Sequence, residues 1–390
     1  MQNSRCDILV IGAGMAGASI AAQLAKHATV RLLEMEERPG YHSTGRSAAL
    51  FSESYGNSVI RALTRASRSF FFSPPSGFCT TPLVRPRSVL IIAQTGQRQT
   101  LEALLGSTLP GDQRVNLSPK EALQLCPVLR TDDLCGALLD GSPADIEVHE
   151  LHDGYLRLFK ARGGAMTTRA EVVALECTSS GWLAVTASEV IEAAIIVNAA
   201  GAWASELGRL AGAYEIGLTP CRRTAILIDP PSAVDIDTWP MLLDIEEQFY
   251  LKPDAGLLLL SPGDETPSPP CDTQPDELDV AIAVDRLQQA TTLQVSRLRR
   301  KWAGLRSFVR DRSPVVGYDP VQRGFFWHAA LGGYGIQTAP ALSSLAASLV
   351  LGRPIDDAIA NFGVDAAALG PSRLWREEAC DPENTSTVHA

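Results

Sequence analysis

The sequence predicts an α/β chain in which a Rossmann-like nucleotide-binding domain, assembled from separated segments, carries an inserted α+β domain built on an antiparallel sheet. Three observations predict it. The 390-residue chain opens on a short strand, CDILVI at 6–11, that is apolar on both faces and runs into a Gly-rich turn and an Ala-rich helix. The order strand, Gly turn, helix recurs at 193–201 (AAIIVNAAG) and at 324–330 (GFFWHAA). Between these pieces lie Pro-rich stretches and short β-prone runs of the kind that pair antiparallel.

Taken in order, 15–27 reads as a helix and TVRLLE at 29–34 as the next strand, which completes a βαβ unit. Residues 73–87 are Pro-rich and lead into a strand in SVLIIAQ. The runs RRTAILI, QFYLKP and GLLLL, between 221 and 260, supply the inserted sheet. Residues 261–277 read as a polar, Pro-rich loop, 280–300 as a basic-ended helix, and the segment after Leu374 as a mobile tail. The expected division is 1–83, 145–219 and 300–370 for the nucleotide-binding domain, 84–144 and 220–299 for the substrate-binding domain, and 375–390 for the tail.

A net charge of −10 argues against nucleic acid and anionic membrane surfaces, which would repel the chain at long range. Eight cysteines are scattered without a CxxC pair, so neither a zinc site nor a disulfide scaffold is suggested, and reduced thiols in a cytoplasmic protein are the expectation. No signal peptide pattern is visible, and no apolar run approaches the roughly 18 residues of a transmembrane segment.

Gly12, Gly14 and Gly17 form a G-x-G-x-x-G turn between strand and helix, with Met15 and Ala16 in the first helical turn. The first Gly makes the turn, the second admits a pyrophosphate close to backbone N–H groups, and the third lets helix and strand approach. Glu34 ends the next strand, roughly twenty residues on, where an acid takes ribose hydroxyls. The motif alone does not separate NAD from FAD. The segment after it does: Ser43, Thr44, Gly45, Arg46, Ser47 and Ala48 form a loop of small residues and one cation that can lie along the pyrophosphate and flavin side of a long dinucleotide.

VIGAGMAGAS, PGYHSTGRSAA, VNAAGAWA, RRTA, FYLKPDAG, WAGLRSF and GGYGIQT occur in this order. On these motifs the chain resembles the D-amino-acid oxidase superfamily of FAD enzymes, and within it the bacterial D-arginine dehydrogenases. The resemblance implies non-covalent FAD held by the Gly-rich turn, Glu34, the 43–48 loop, the backbone of Val172, Ala200 and Gly201. It also implies flavin contacts from Gly332, Gly333, Tyr334, Gly335, Ile336, Gln337 and Thr338, with a helix starting near Thr338 whose positive end stabilises the reduced anionic flavin.

The resemblance further places Arg223, Arg306 and the Tyr250 hydroxyl on a substrate carboxylate, since a guanidinium fork matches that group bidentately. Adjacent strand residues face opposite ways, so only one of Arg222 and Arg223 can point inward. Tyr55 and the carbonyl of Gly333 would hold the amine. The implied reaction is hydride transfer from Cα to flavin N5, followed by hydrolysis of the imino acid to a 2-oxo acid and ammonia. The electron acceptor is oxygen or a quinone, and a quinone would bring the protein to the periphery of the inner membrane.

The sequence departs from that pattern where D-arginine dehydrogenases recognise a cationic side chain. Val89 and Leu50 stand in place of a Glu and a His, and Phe51 and Ser52 replace a Tyr and a Thr. A guanidinium buried beside Val89 and Leu50 would be desolvated without a partner. Met241, Leu243 and Tyr334 complete an expected pocket for apolar or non-cationic side chains. Asp244 should point away by alternation with Leu243; facing inward, it or Glu53 would restore cation recognition. Oxidation of N-alkyl or cyclic secondary amino acids is the alternative, and a flavin-binding subunit without turnover is a third reading.

Overall fold

In the computed structural model, which describes residues 2–106, 114–232 and 234–375, the chain forms two large sheets joined by a small one. Residues 376–390, nearly all of the tail expected to be mobile, lie outside the described residues.

The first sheet has a parallel centre. Strand Gln2–Ile11 lies between Val30–Leu33 and Glu189–Asn198, with Ala165–Thr167 beyond the former and Phe325–Ala329 beside the latter, all pairing parallel. Parallel strands need crossovers, and the helices Met15–Leu24, Val148–Ala161 and Gly335–Val350 cover one face. A second apolar cluster, centred on Trp182, Phe325 and Trp327, fills the other face. Ile11 and Asn198 pair at the carboxyl ends of their strands, so the Gly-rich turn and the 199–201 turn emerge side by side. Ligands of open α/β sheets bind at such an edge.

The second sheet has nine strands and includes Val89–Gln94, Thr219–Ile228, Met241–Asp244, Tyr250–Asp254, Leu257–Ser261 and Leu298–Phe308. It is not wholly antiparallel as expected: Met241–Asp244 runs parallel to Val89–Gln94. One face packs Leu90, Ile226, Leu242, Leu251 and Leu260 beneath helix Glu277–Ala290. The other looks toward the first sheet.

That helix corrects the expectation of a basic-ended helix over 280–300. Asp276 caps its start, accepting from the Leu278 amide at 2.9 Å, and it ends at Ala290, where the Thr291 hydroxyl turns back onto the Leu287 carbonyl. Arg299, Arg300 and Lys301 belong instead to strand Leu298–Phe308, which pairs along the whole of Thr219–Ile228. The ladder hydrogen bonds to a long antiparallel partner override the helical propensity of the basic run.

The small sheet pairs Leu50–Phe51 and Val84–Pro86 with Ala144–Ile146, and so pins the segment after the 43–48 loop to the junction between the large sheets. None of the helices among the described residues is long and apolar enough to cross a membrane.

Candidate active site

A cavity of about 540 Å³ runs along the carboxyl edge of the parallel strands and ends against the inner face of the second sheet. Its floor is the Gly-rich turn. Gly12 has φ +100°, and a Cβ there would lie 2.5 Å from the Ala199 carbonyl oxygen. A Cβ on Gly17 would meet the Gly12 carbonyl oxygen at 1.7 Å, so the third glycine is required by the close approach of helix and turn. Gly17 accordingly sits behind the cavity, whereas Gly12, Gly14, Met15 and Ala16 line it.

Glu34 is buried, and its two carboxylate oxygens accept from the Ala13 and Glu36 amides at 2.9 and 3.0 Å. The acid thus joins the end of the second strand to the Gly-rich turn while still lining the cavity. Ala170 donates to the Glu34 carbonyl and brings Val172 to the same end. Ala200 and Gly201 line the opposite wall.

The 43–48 loop crosses the amino end of the first helix. Thr44 Oγ1 accepts from the Met15 amide at 2.9 Å, Ser43 Oγ donates to the Leu305 carbonyl at 2.5 Å, and Trp302 Nε1 donates to the Arg46 carbonyl at 3.0 Å. Ser43, Thr44, Ser47 and Ala48 line the cavity, while Gly45 turns the loop against Gly40. Arg46 corrects its expected part as the loop's cation beside a pyrophosphate. Its stem lines the cavity, but its guanidinium turns outward to Asp272 and to the Ala303 and Thr273 carbonyls. A strong carboxylate partner outside the cavity fixes that direction.

At the far end, Gly332, Gly333, Gly335 and Ile336 line the cavity. The helix begins at Gly335 and not near Thr338. Gln337 and Thr338 are buried behind the wall: the Gln337 amide accepts from the Ser52 N–H at 3.2 Å and donates to Thr64, and the Thr338 hydroxyl donates to the Tyr334 carbonyl. These two side chains pin the lid and the helix start. Tyr334 is also behind the wall, its ring 5.1 Å from that of Tyr55.

The inner face of the second sheet presents Arg223, Ala225, Tyr250 and Arg306 to the cavity. Strand alternation separates the adjacent arginines: Arg222 points to the outer helix and pairs with Asp279 at 2.8 Å. Arg306 faces Gly333, where a Cβ would come 2.8 Å from its Nη1. Burial works against the Arg306 cation, but Tyr55, Tyr250 and Glu265 raise its pKa above the ordinary value, and it forms no ion pair among the described residues. Burial pushes the Tyr55 phenol up to about 12 despite Arg306, so it remains a neutral hydrogen-bonding group.

The expected side-chain pocket is only partly assembled. Val89 pairs with Met241, and Leu243 with Tyr250, so these residues share the inner face; yet none of Leu50, Val89, Met241 and Leu243 reaches the cavity wall. Phe51 is a correction. It is fully buried in the core beside Phe71, with the exposed Phe72 against its edge, because strand alternation turns it opposite to Leu50. Ser52 is likewise buried, its hydroxyl 3.1 Å from that of Ser54. Asp244 points away, as alternation with Leu243 led one to expect, and so leaves the pocket set. It pairs with Ile92 on the outer face, accepts from the Glu246 and Gln248 amides, and takes a 2.9 Å bond from Gln97. Glu53 pairs with Arg68 at the surface.

Three residues escaped sequence reasoning. His328, at the end of strand Phe325–Ala329, lines the cavity with its Nδ1 buried and without a hydrogen-bond partner, and burial lowers its pKa to about 4. Glu265 bonds Arg223 and Arg312 from the loop read as merely polar. Lys252, two residues from Tyr250, is buried and bonds Asp145, the strand partner of Leu50, at 2.6 Å. Only the placement of charge within FYLKP and GDET hinted at any of them.

Residues 7–349 match the family model DAO, FAD dependent oxidoreductase. Sarcosine oxidase subunit beta of Rhodobacter capsulatus is 23% identical over 361 residues, covering 89% of this chain and 85% of that protein. FAD-dependent oxidoreductase domain-containing protein 1 of Xenopus laevis is 23% identical over 211 residues; the match takes in 49% of this chain and 40% of that longer protein. The crystal structure of glycine oxidase from Geobacillus kaustophilus superposes with a TM-score of 0.79 at 22% identity, over 95% of this chain and 99% of that one, which shows a shared fold. The glycine cradle, Glu34, the elongated cavity and the orphaned His328 nitrogen fit FAD, the cofactor of this group.

Proposed function

We propose that this chain, which belongs to the DAO family of FAD-dependent oxidoreductases, oxidises the amine-bearing carbon of an amino acid whose carboxylate is held by Arg306 and Arg223. The observation that carries the reading is Arg306 itself: a cation on the cavity wall, beside Gly333 and two tyrosines, with no ion-pair partner among the described residues. A guanidinium so placed is held charged and keeps its donors for an anionic ligand. Arg306 and Arg223 would fix the carboxylate, and Tyr250 would add a hydroxyl. Tyr55 and the Gly333 carbonyl would orient the amine, which must shed its proton to solvent before its lone pair can form the C=N bond. Bound FAD supplies the acceptor for the two electrons of the Cα–H bond. Water then releases a 2-oxo acid and ammonia, or an alkylamine from a secondary amine.

Two substrate classes fit. The resemblance to D-arginine dehydrogenases, with Leu50 and Val89 at the positions that recognise a cation, supports D-amino acids with apolar or non-cationic side chains. The absence of Leu50, Val89, Met241 and Leu243 from the cavity wall leaves little room beyond Tyr250 and Ala225, which supports small N-alkyl amino acids equally well. The sarcosine-named relative accords with the second class. An anaerobic stopped-flow screen across D-, L- and N-methyl amino acids separates them by which ones bleach the flavin. Strong bleaching by D-Arg would sink both, and no bleaching by any amine would favour a flavin-binding subunit without turnover.

A further inference from the structure

Arg223 does not stand alone on the cavity wall. Its Nε donates to the Asp264 carbonyl at 2.7 Å and its Nη2 to Glu265 Oε1 at 3.1 Å. The loop bearing both acids is anchored to the same strand, because the Asp264 carboxylate accepts from the Thr224 amide at 2.7 Å and from its hydroxyl at 2.9 Å. Glu265 is therefore presented to Arg223 by a fixed backbone. Its other side meets Arg312, whose Nη2 reaches Oε1 at 2.9 Å and Oε2 at 3.0 Å. Arg312 is itself held in place, with φ at +58° and its guanidinium 3.8 Å from the centre of the Phe308 ring.

One carboxylate thus bridges two guanidinium groups, one facing the cavity and one half-exposed. We propose that Glu265 is an internal competitor for the substrate carboxylate at Arg223, and that Arg312 sets the strength of that competition by offering Glu265 an alternative partner. The inference rests on Arg223 and Arg306 being the carboxylate clamp. Both Glu265 and Arg312 are positioning residues, acting through Arg223. An arriving carboxylate needs the Nη2 edge that Glu265 uses, and Glu265 can yield it without losing its own ion pair, since Arg312 already holds both of its oxygens. The bridge makes the site selective: a ligand must be anionic enough to displace a carboxylate already in place.

The two neighbours should act with opposite sign. In the FAD-loaded protein, titrations with benzoate followed by flavin absorbance should show Glu265→Gln binding about tenfold more tightly than wild type, the size of a lost charged contact at a partly exposed site. Arg312→Gln should bind about threefold or more weakly, because Glu265 would then rest on Arg223 alone. Benzamide, which has the ring but not the charge, should bind all three alike. Weakening by both substitutions would mean that the loop is merely structural, and would overturn the proposal, as would an unchanged benzoate affinity in Glu265→Gln. Failure of the clamp reading looks different: benzoate and acetate would then leave the flavin spectrum of every variant, wild type included, unperturbed.

Discussion

Nη1 of Arg306 lies 2.8 Å from the point where a Cβ on Gly333 would stand, with Cζ only 3.1 Å away. The loop can rest on the guanidinium because Gly333 has no side chain. Gly333→Ala should push Arg306 out of line and lower kcat/KM about 100-fold, a usual cost of a misplacement near one ångström. Flavin content should stay that of wild type. The check is the visible absorbance per mole of protein beside steady-state kinetics on whichever substrate bleaches the flavin.

Gly17 makes a sharper demand, since its Cβ would sit 1.7 Å from a backbone oxygen that has no room to move. Gly17→Ala should therefore yield protein without flavin. Glu34→Gln is milder: one of its two backbone amide bonds survives, and FAD affinity should fall about tenfold. Equilibrium dialysis of the apoprotein against FAD reads both effects.

His328 couples the cavity to pH. Burial lowers its pKa from 6.5 to about 4, so the fold holds the neutral ring. The unfolded chain takes up the proton first as pH falls, and the stability due to the neutral ring is complete above the unfolded value and drains away down to the folded one. At about pH 5 the loss should be on the order of 2 kcal/mol relative to about pH 7.5. Urea unfolding of wild type and His328→Leu at those two pH values tests it; a difference between the proteins that does not change with pH would contradict the assignment.

The Asp145–Lys252 pair is a structural element of the junction. Lys252 is buried and Asp145 also takes Arg87 at 2.8 Å, so one carboxylate neutralises two cations. Asp145→Asn should destabilise the fold by about 3 kcal/mol, because a buried ammonium would lose its counter-charge. Reversible denaturant unfolding, with the midpoint and slope reported separately, measures that cost.

Much of the nucleotide-binding half was legible in advance because its constraints are local. Gly12, Gly14, Gly17 and Glu34 follow one another within a single βαβ unit, where each residue type answers a backbone need visible at short range. Alternation also placed Arg222 and Arg223 on opposite faces and turned Asp244 outward, where it pairs with Ile92. The misreadings arose where a residue's direction depends on a distant partner. Arg46 carries the right charge in the right loop, yet Asp272 takes its guanidinium away from the cavity. The basic run after 297 looks helical alone and becomes a strand because Thr219–Ile228 lies ready to pair with it.

By itself the sequence determined the Gly-rich turn, the acid at the second strand's end and the choice between neighbouring strand positions, since steric and alternation rules act over a few residues. Only the tertiary structure decided that Phe51 belongs to the core, that Glu265 meets both Arg223 and Arg312, and that Lys252 is buried against Asp145. Those contacts join segments from 42 to 107 residues apart in the case of the ion pairs, and such partners are chosen by packing of whole elements and by the need to neutralise buried charge, not by any pattern within one segment.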